Sequence, residues 1–337
     1  MNWQKVVQWI SVALFGIISV GHAQAQTGLV PKEQLKMSEK KALGWSKKAN
    51  IGFNASFSSS SNVVGQTDGN SQTYGLNFAG GYTFADERSE WQNSLSLKEA
   101  ATRTPTQPRF VKSSDELRFE SLFLRDFASL PDVGPYAKFH AHAPIFPGED
   151  VRATPVNYTL KRRDGTTTQL SNLSSLRLSG GFKPLTTRES AGGFWKAMDN
   201  KSARLDVRLG VGAEQVAADG QWAVEGANPD GSISVKELKS LSQMGIEAAI
   251  TGKGQIDERT SWSAGVETLT PFVWNKEAGE RRDGFRLTTV DGFAKLTTNM
   301  TSWASLSYDY KALIQPLIVD RVQQTHMFVL NINHEIF

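Results

Sequence analysis

Residues 204–213 read RLDVRLGVGA. In an extended chain Leu205, Val207, Leu209 and Val211 fall on one face and Arg204, Asp206 and Arg208 on the other, because successive strand side chains point in opposite directions. The same period of two runs through nearly every ordered-looking segment from Lys48 to Phe337, and only Glu33–Leu43 and Val235–Leu241 carry a helix-like pattern. About twelve segments qualify as strands, near 48–57, 72–84, 89–99, 115–127, 134–144, 172–183, 203–213, 244–252, 260–272, 285–297, 301–312 and 322–337. A tilted strand that crosses a bilayer needs about 9–11 residues, and these segments have that length or slightly more.

A soluble sandwich also alternates, so the connections carry the distinction. Linkers at even positions are short (ADERSE, ASLPDVG, GKGQIDER, TNM), whereas those at odd positions, 58–71, 100–114, 145–171, 214–243, 273–284 and 313–321, are longer. Short periplasmic turns and long outer loops are the signature of an antiparallel transmembrane β-barrel. One connection, 184–202, is long on the short side. It is either a short helix that packs Trp195 under the barrel or the sign of a miscounted strand.

The chain spells nearly the same hexapeptide twice, DERSEW at 86–91 and DERTSW at 257–262. A polar turn followed by a tryptophan at headgroup depth explains both copies, since the indole is mostly apolar while its N–H prefers a wet partner. Trp91 and Trp262 are therefore expected at the periplasmic interface, together with Trp45 ahead of the first strand and Trp303 in MTSWASL. Tyr82, Phe84, Phe127 and Phe182 extend that girdle, while Phe272, Trp274, Phe285, Tyr308 and Tyr310 are expected in the outer one.

The first residues, MNWQKVVQWISVALFGIISVGHAQAQ, combine Lys5, an apolar stretch and the small-x-small triplet Ala23-Gln24-Ala25, which reads as a secretory signal over 1–25. A periplasmic segment over 26–47 and a barrel over 48–337 are expected to follow. The sequence has no Cys, 29 Gly, a net charge of +3 and a mean hydropathy of −0.35. The mixed charges do not point to nucleic acid.

If the Leu/Val/Ile/Phe faces meet lipid, the opposite faces line the lumen. The expected lining is Arg118, Glu120, Lys138, His140, His142, Arg177, Arg204, Asp206, Arg208, Glu247, Glu267, Asp291, Lys295 and Asp309. Both signs occur, so the charges either flank a small aqueous pore or pair and nearly close it. His140 and His142 lie two apart on one face, but two ligands do not define a metal site. Residues 226–237 place Asn228, Asp230, Gly231, Ile233 and Glu237 where a calcium loop has its third, fifth, sixth, eighth and twelfth positions, with Gly226 instead of the first acid. No Ser-centred motif accompanies the histidines, so neither catalysis nor a cofactor is expected.

The stretches EWQNSLSLKEAATRTPTQPRFVKSSDEL (90–117) and KALIQPLIVDRVQQ (311–324) resemble a family of largely uncharacterised, porin-like outer-membrane barrels of δ-proteobacteria, predatory bacteria included. The resemblance implies residence in a Gram-negative outer membrane, contact with its lipids, delivery by barrel-assembly machinery and a homo-oligomeric state. Phe337 fits such barrels as a terminal residue, yet Ile336, Ile332, Leu330 and Phe328 form the last apolar face, one step out of register with it. Three functions remain: passive passage of small solutes through a narrow charge-lined lumen, a closed or nearly closed barrel with a structural, lipid-organising or surface-interaction role, and, as a minor alternative, an enzyme acting on lipid.

Overall fold

A computed structural model describes residues 43–60, 69–200, 202–275, 282–301, 303–317 and 319–335. The expected signal lies outside the described residues. Twelve strands close into an antiparallel barrel: β1 (Gly44–Ser60), β2 (Gly69–Ala85), β3 (Ser89–Thr104), β4 (Gln107–Arg125), β5 (Val133–Ala143), β8 (Leu185–Asp199), β9 (Ala203–Ala217), β12 (Leu241–Gln255), β13 (Thr260–Trp274), β14 (Thr289–Asn299), β15 (Ala304–Gln315) and β16 (Val319–Glu335). The remaining strands, β6 (Gly148–Lys161), β7 (Thr167–Ser179), β10 (Trp222–Ala227) and β11 (Ile233–Glu237), form a separate four-stranded sheet.

The barrel has the expected number of strands, but the sixth is not at 172–183. It is β8, inside the stretch first read as an anomalous connection. Its outward positions Thr187, Glu189, Ala191 and Gly193 are polar, charged or small, so its alternation is faint. Residues 167–179 instead build β7 of the extra sheet. The wall also begins earlier than expected, with Gly44–Lys47 already in β1. Residues 235–237, read as helix-like, belong to β11.

With β8 in place, every connection at one end is short: 86–88, 126–132, 200–202, 256–259 and 300–303. The two hexapeptides fold alike. Asp86 Oδ1 accepts the Arg88 and Ser89 amides at 2.8 and 2.5 Å, and Asp257 Oδ1 accepts those of Arg259 and Thr260 at 2.8 and 2.7 Å. Asn200 and Thr301 cap two further turns in the same way, receiving the amides of residues 202 and 203 and of Trp303 and Ala304. An Asx-type turn satisfies the backbone locally and reverses the chain in few residues. The opposite end is less uniform than expected. β3 and β4 continue as a hairpin to a turn at 105–106, and 316–318 is equally brief. The long connections there are 144–184 and 218–240, which carry the extra sheet, and 275–288 between β13 and β14.

The outer wall is apolar: Phe53, Leu76, Leu95, Phe119, Phe123, Leu209, Val211, Ile246, Ile250, Val266 and Leu306 are all exposed. The inward face holds buried charges. This inverts a soluble barrel and matches a bilayer-spanning one. Trp262 and Phe272 lie ten residues apart on β13, about 25 Å of height for a strand tilted near 40°, the thickness of the apolar band.

At the short-turn rim Trp45 stacks on Tyr82 at 4.4 Å and lies 4.9 and 6.1 Å from Phe84 and Trp91. Trp91 Nε1 donates to Ser121 Oγ at 3.0 Å. The Trp262 ring lies over Gly252 and Gly254, where a Cβ would come within 3.1 and 2.8 Å of it. Trp303 is exposed in the turn before β15, which explains why it shares sequence parity with inward Ser305 and Ser307 yet points out. Four aromatics depart from expectation. Phe182 sits in the connection before β8, at the long-loop end. A register shift at Met244/Gly245 pairs Trp274 with Gln243, placing it in a lumen row and not in the lipid girdle. Tyr308 and Tyr310 lie in the middle of β15, not at its outer end.

The extra sheet, ordered β10-β11-β6-β7, forms because its two parent loops flank the adjacent strands β8 and β9. β11 pairs β6 in parallel, Ile233 facing Tyr158 and Val235 facing Leu160. Those four side chains are its buried core, with Leu170, Leu173, Trp222 and Val224 packed around them. Each fully buried residue contributes about 1.5–3 kcal/mol, which joins two hairpins that would each be marginal in water alone.

Candidate functional site: the lumen

Strand pairing aligns the inward residues in rows. One row crosses Ser96, Arg118, His142, Thr186 and Val216, and the next crosses Glu120, His140, Arg188, Glu214 and Gln243. Gly210 and Gly212 follow on β9, and the absence of a side chain at Gly212 leaves room for Glu247, whose Oε2 would lie 3.1 Å from a Cβ there.

Charges of both signs fill this space in pairs. At mid-height Glu267 accepts Lys138 Nζ at 2.6 and 2.8 Å and Arg208 Nη2 at 2.7 Å. Lys138 is also 3.9 Å from Glu120, which lies 3.7 Å from Arg118. Above them Arg188 Nε donates to Glu247 at 2.9 Å and its Nη1 is 4.0 Å from Glu214. Gln243 and Gln315 both donate to Glu214 Oε1, at 2.9 and 2.8 Å, which ties β12 to β15 across the mouth. Near the short-turn end Lys196 binds Asp126 at 2.8 Å, and Arg204 binds Asp206 and Glu90 at 3.0 and 3.3 Å. On the remaining wall Lys98 and Lys295 each lie 3.8 Å from Asp309, and Lys311 is 3.4 Å from Glu116. Asp291 faces Glu267 across the β13–β14 ladder.

Apolar clusters bracket the ionic layer. Leu122, Leu124, Tyr136 and Phe194 pack toward the short-turn end, and Val216, Ala218 and Leu241, with Leu238 and Leu317, at the other. Arg208 keeps 2% of its surface and Glu247 1%, so this half of the lumen is filled by side chains. The other side is looser, with Lys98 and Lys295 retaining 23% and 20% of their side-chain surface.

Of the expected lining residues, the structure brings all but Arg177 to the inner wall of the barrel. Arg177 lies exposed on β7, because 172–183 is not a wall strand. Sequence reasoning missed Arg188 and Lys196 for the same reason. It also passed over Glu214, Gln243 and Gln315, which sit near strand ends where the alternation fades, and over Lys98 and Glu116, which lie in the middle of β3 and β4. His140 and His142 stack with ring centroids 5.7 Å apart, and among the described residues no third His, Asp, Glu or Cys completes a metal site.

The calcium-like stretch folds as the β10–β11 hairpin. Asp230 Oδ1 accepts the Ser232 amide and hydroxyl at 2.9 and 2.7 Å, and Glu237 accepts the Arg163 amide at 3.2 Å. Those donors hold the Asp230 carboxyl below its ordinary range. The backbone amides in the second hexapeptide turn do the same for Asp257. Tyr158, inside the extra sheet, is pushed up to about 12 by burial and by its bond to Asp150.

The chain matches no protein-family model and no curated protein. Solved structures that it resembles include the translocator domain of the autotransporter NalP from Neisseria meningitidis, at 10% identity and a TM-score of 0.36 over 88% of this chain and 90% of that one. Two others are a mutant of the TodX monoaromatic hydrocarbon channel, at 11% identity and a TM-score of 0.35 over 88% and 90%, and the outer-membrane channel DcaP of Acinetobacter baumannii, at 8% identity and 0.28 over 89% and 100%. The barrel assignment stands on the strand pairing itself, which runs continuously from β1 round to β16 and back to β1.

Proposed function

We propose that the protein is an integral outer-membrane barrel that passes water and small solutes along a narrow, charge-lined route. The observation that carries this reading is the division of the lumen. The wall from β4 to β13 is sealed by buried ion pairs, while Lys98 and Lys295 on the opposite side stay accessible. Among the described residues, polar atoms of His142, Thr186 and Asp291 have no hydrogen-bond partner, which favours a hydrated interior, since buried polar groups are nearly always satisfied. Planar-bilayer recording tests it: folded protein should give small, stable, ohmic steps. Their absence from folded protein would overturn it.

A second reading is favoured by the extra sheet. Two outer loops share one apolar core, and a sheet that rigid suits a surface-interaction role for a closed barrel. A silent bilayer recording supports that alternative.

A further inference from the structure

Just inside the short-turn rim, β9, β12, β13 and β14 set Arg204, Lys253, Ser263 and Lys295 side by side on one inward row. Three cations so close repel one another unless something negative lies among them. The nearby acids are engaged elsewhere. Arg204 Nε donates to both oxygens of Asp206 at 3.0 Å and its Nη1 donates to Glu90 at 3.3 Å, which leaves Nη2 without a bond among the described residues. Gln92 donates to Glu90 as well, Asp309 lies one strand beyond Lys295 at 3.8 Å, and Asp199, across from Arg204, is exposed at the end of β8. Lys253 makes no hydrogen bond or ion pair among the described residues.

These donors surround a cavity of about 20 Å³, with Arg204, Asp206, Thr251, Lys253, Ser263 and Phe293 among its walls. Ser263 is 4% exposed, yet its Oγ has no hydrogen-bond partner among the described residues. Buried polar groups are nearly always satisfied, so this hydroxyl marks where an occupant sits. Phe293 roofs the space. Its ring lies over Gly265, where a Cβ would come within 2.7 Å of it, and it takes the inward place on β14 between Lys295 and Asp291. The ring thereby separates the cavity from the carboxylates of Glu267 and Asp291, one row further in. A space of this size admits about one or two water-sized particles and no larger oxyanion.

We propose that this cavity is a binding site for a single halide-sized anion, chloride being the common one. Lys253 Nζ, Ser263 Oγ and Arg204 Nη2 donate to it, and its charge offsets the repulsion along the row. A water would bring two protons of its own to a place where the carboxylate oxygens already accept bonds, whereas a halide only accepts. The site stands on these side chains whether or not the lumen conducts. On the conduction reading it gives the route a station for anions just inside the short-turn rim.

The test reads the chloride NMR line width over folded protein in detergent micelles. A saturable broadening is expected, displaced by bromide and not by sulfate. Lys253→Met should remove it, and Ser263→Ala, which deletes one buried atom and leaves the wall intact, should weaken chloride binding by about tenfold. Lys161→Met, on the exposed face of the extra sheet, should leave it unchanged. Crystals soaked in sodium bromide should show an anomalous peak within hydrogen-bond reach of Lys253 Nζ and Ser263 Oγ. Broadening that survives both Lys253→Met and Ser263→Ala, water alone in the cavity of the bromide-soaked crystal, or sulfate competing as well as bromide does would overturn the site. Neither readout needs a current, so a silent bilayer recording leaves the site standing, and an empty site leaves conduction standing.

Discussion

Replacing Glu267 by Gln removes the one carboxylate that serves both Lys138 and Arg208, at 2.6 and 2.7 Å, and all three side chains are at most 4% exposed. Losing one partner of a buried ion pair costs about 3–5 kcal/mol, because the other charge stays behind in a medium that solvates it poorly. Glu267→Gln leaves Arg208 without its carboxylate and Lys138 with only Glu120 at 3.9 Å, so its cost belongs at the upper end, about 5 kcal/mol. Lys138→Met leaves Glu267 bound to Arg208 and Glu120 beside Arg118, so about 3 kcal/mol is expected. The double variant should cost less than the sum, since the two changes share a partner. Equilibrium urea unfolding from vesicles, followed by tryptophan fluorescence, gives all three values. The ordering is the decisive quantity: both single variants below about 1 kcal/mol would mean that water screens the lumen charges as it does surface pairs, and the sealed half would not exist.

On the lipid face, Leu209→Arg should cost about 2–4 kcal/mol because Leu209 is exposed at the middle of β9, whereas Gln215→Arg, six residues further along that face, should cost about 0–1 kcal/mol; equal costs would refute the membrane orientation. Trypsin added to intact cells should cut first in the exposed turn at Arg162–Arg163, between β6 and β7, and early cleavage after Arg88 or Arg259 would invert the topology. The Asp257 carboxyl should titrate below the 3.8 of an unstructured aspartate, so its capping contribution is present at neutral pH and fades as pH falls through that lowered value. A carboxyl NMR titration with a midpoint at or above 3.8 would remove the turn explanation for the hexapeptide.

Alternation along the chain was enough to reveal the class of fold, the count of wall strands and the inward faces of strands such as β4, β9 and β13. Side-chain direction in a strand is a local property with a period of two. The Asx-type turns were legible for the same reason, since Asp86 and Asp257 act on amides two and three residues ahead. Which segment fills the sixth place in the wall was not local. Both 172–183 and 185–199 alternate, and only the second finds partners on β5 and β9, while the first is drawn into the extra sheet through β6. That sheet depends on two loops distant in sequence being set side by side by β8 and β9. The flip of Trp274 depends on a register shift against β12, which no pattern within β13 reveals. The pairing of Glu267 with Lys138 and Arg208 arises only when the barrel closes and side chains from remote strands compete for one narrow space. Sequence periodicity decides which way a side chain points, and closure decides what it meets there.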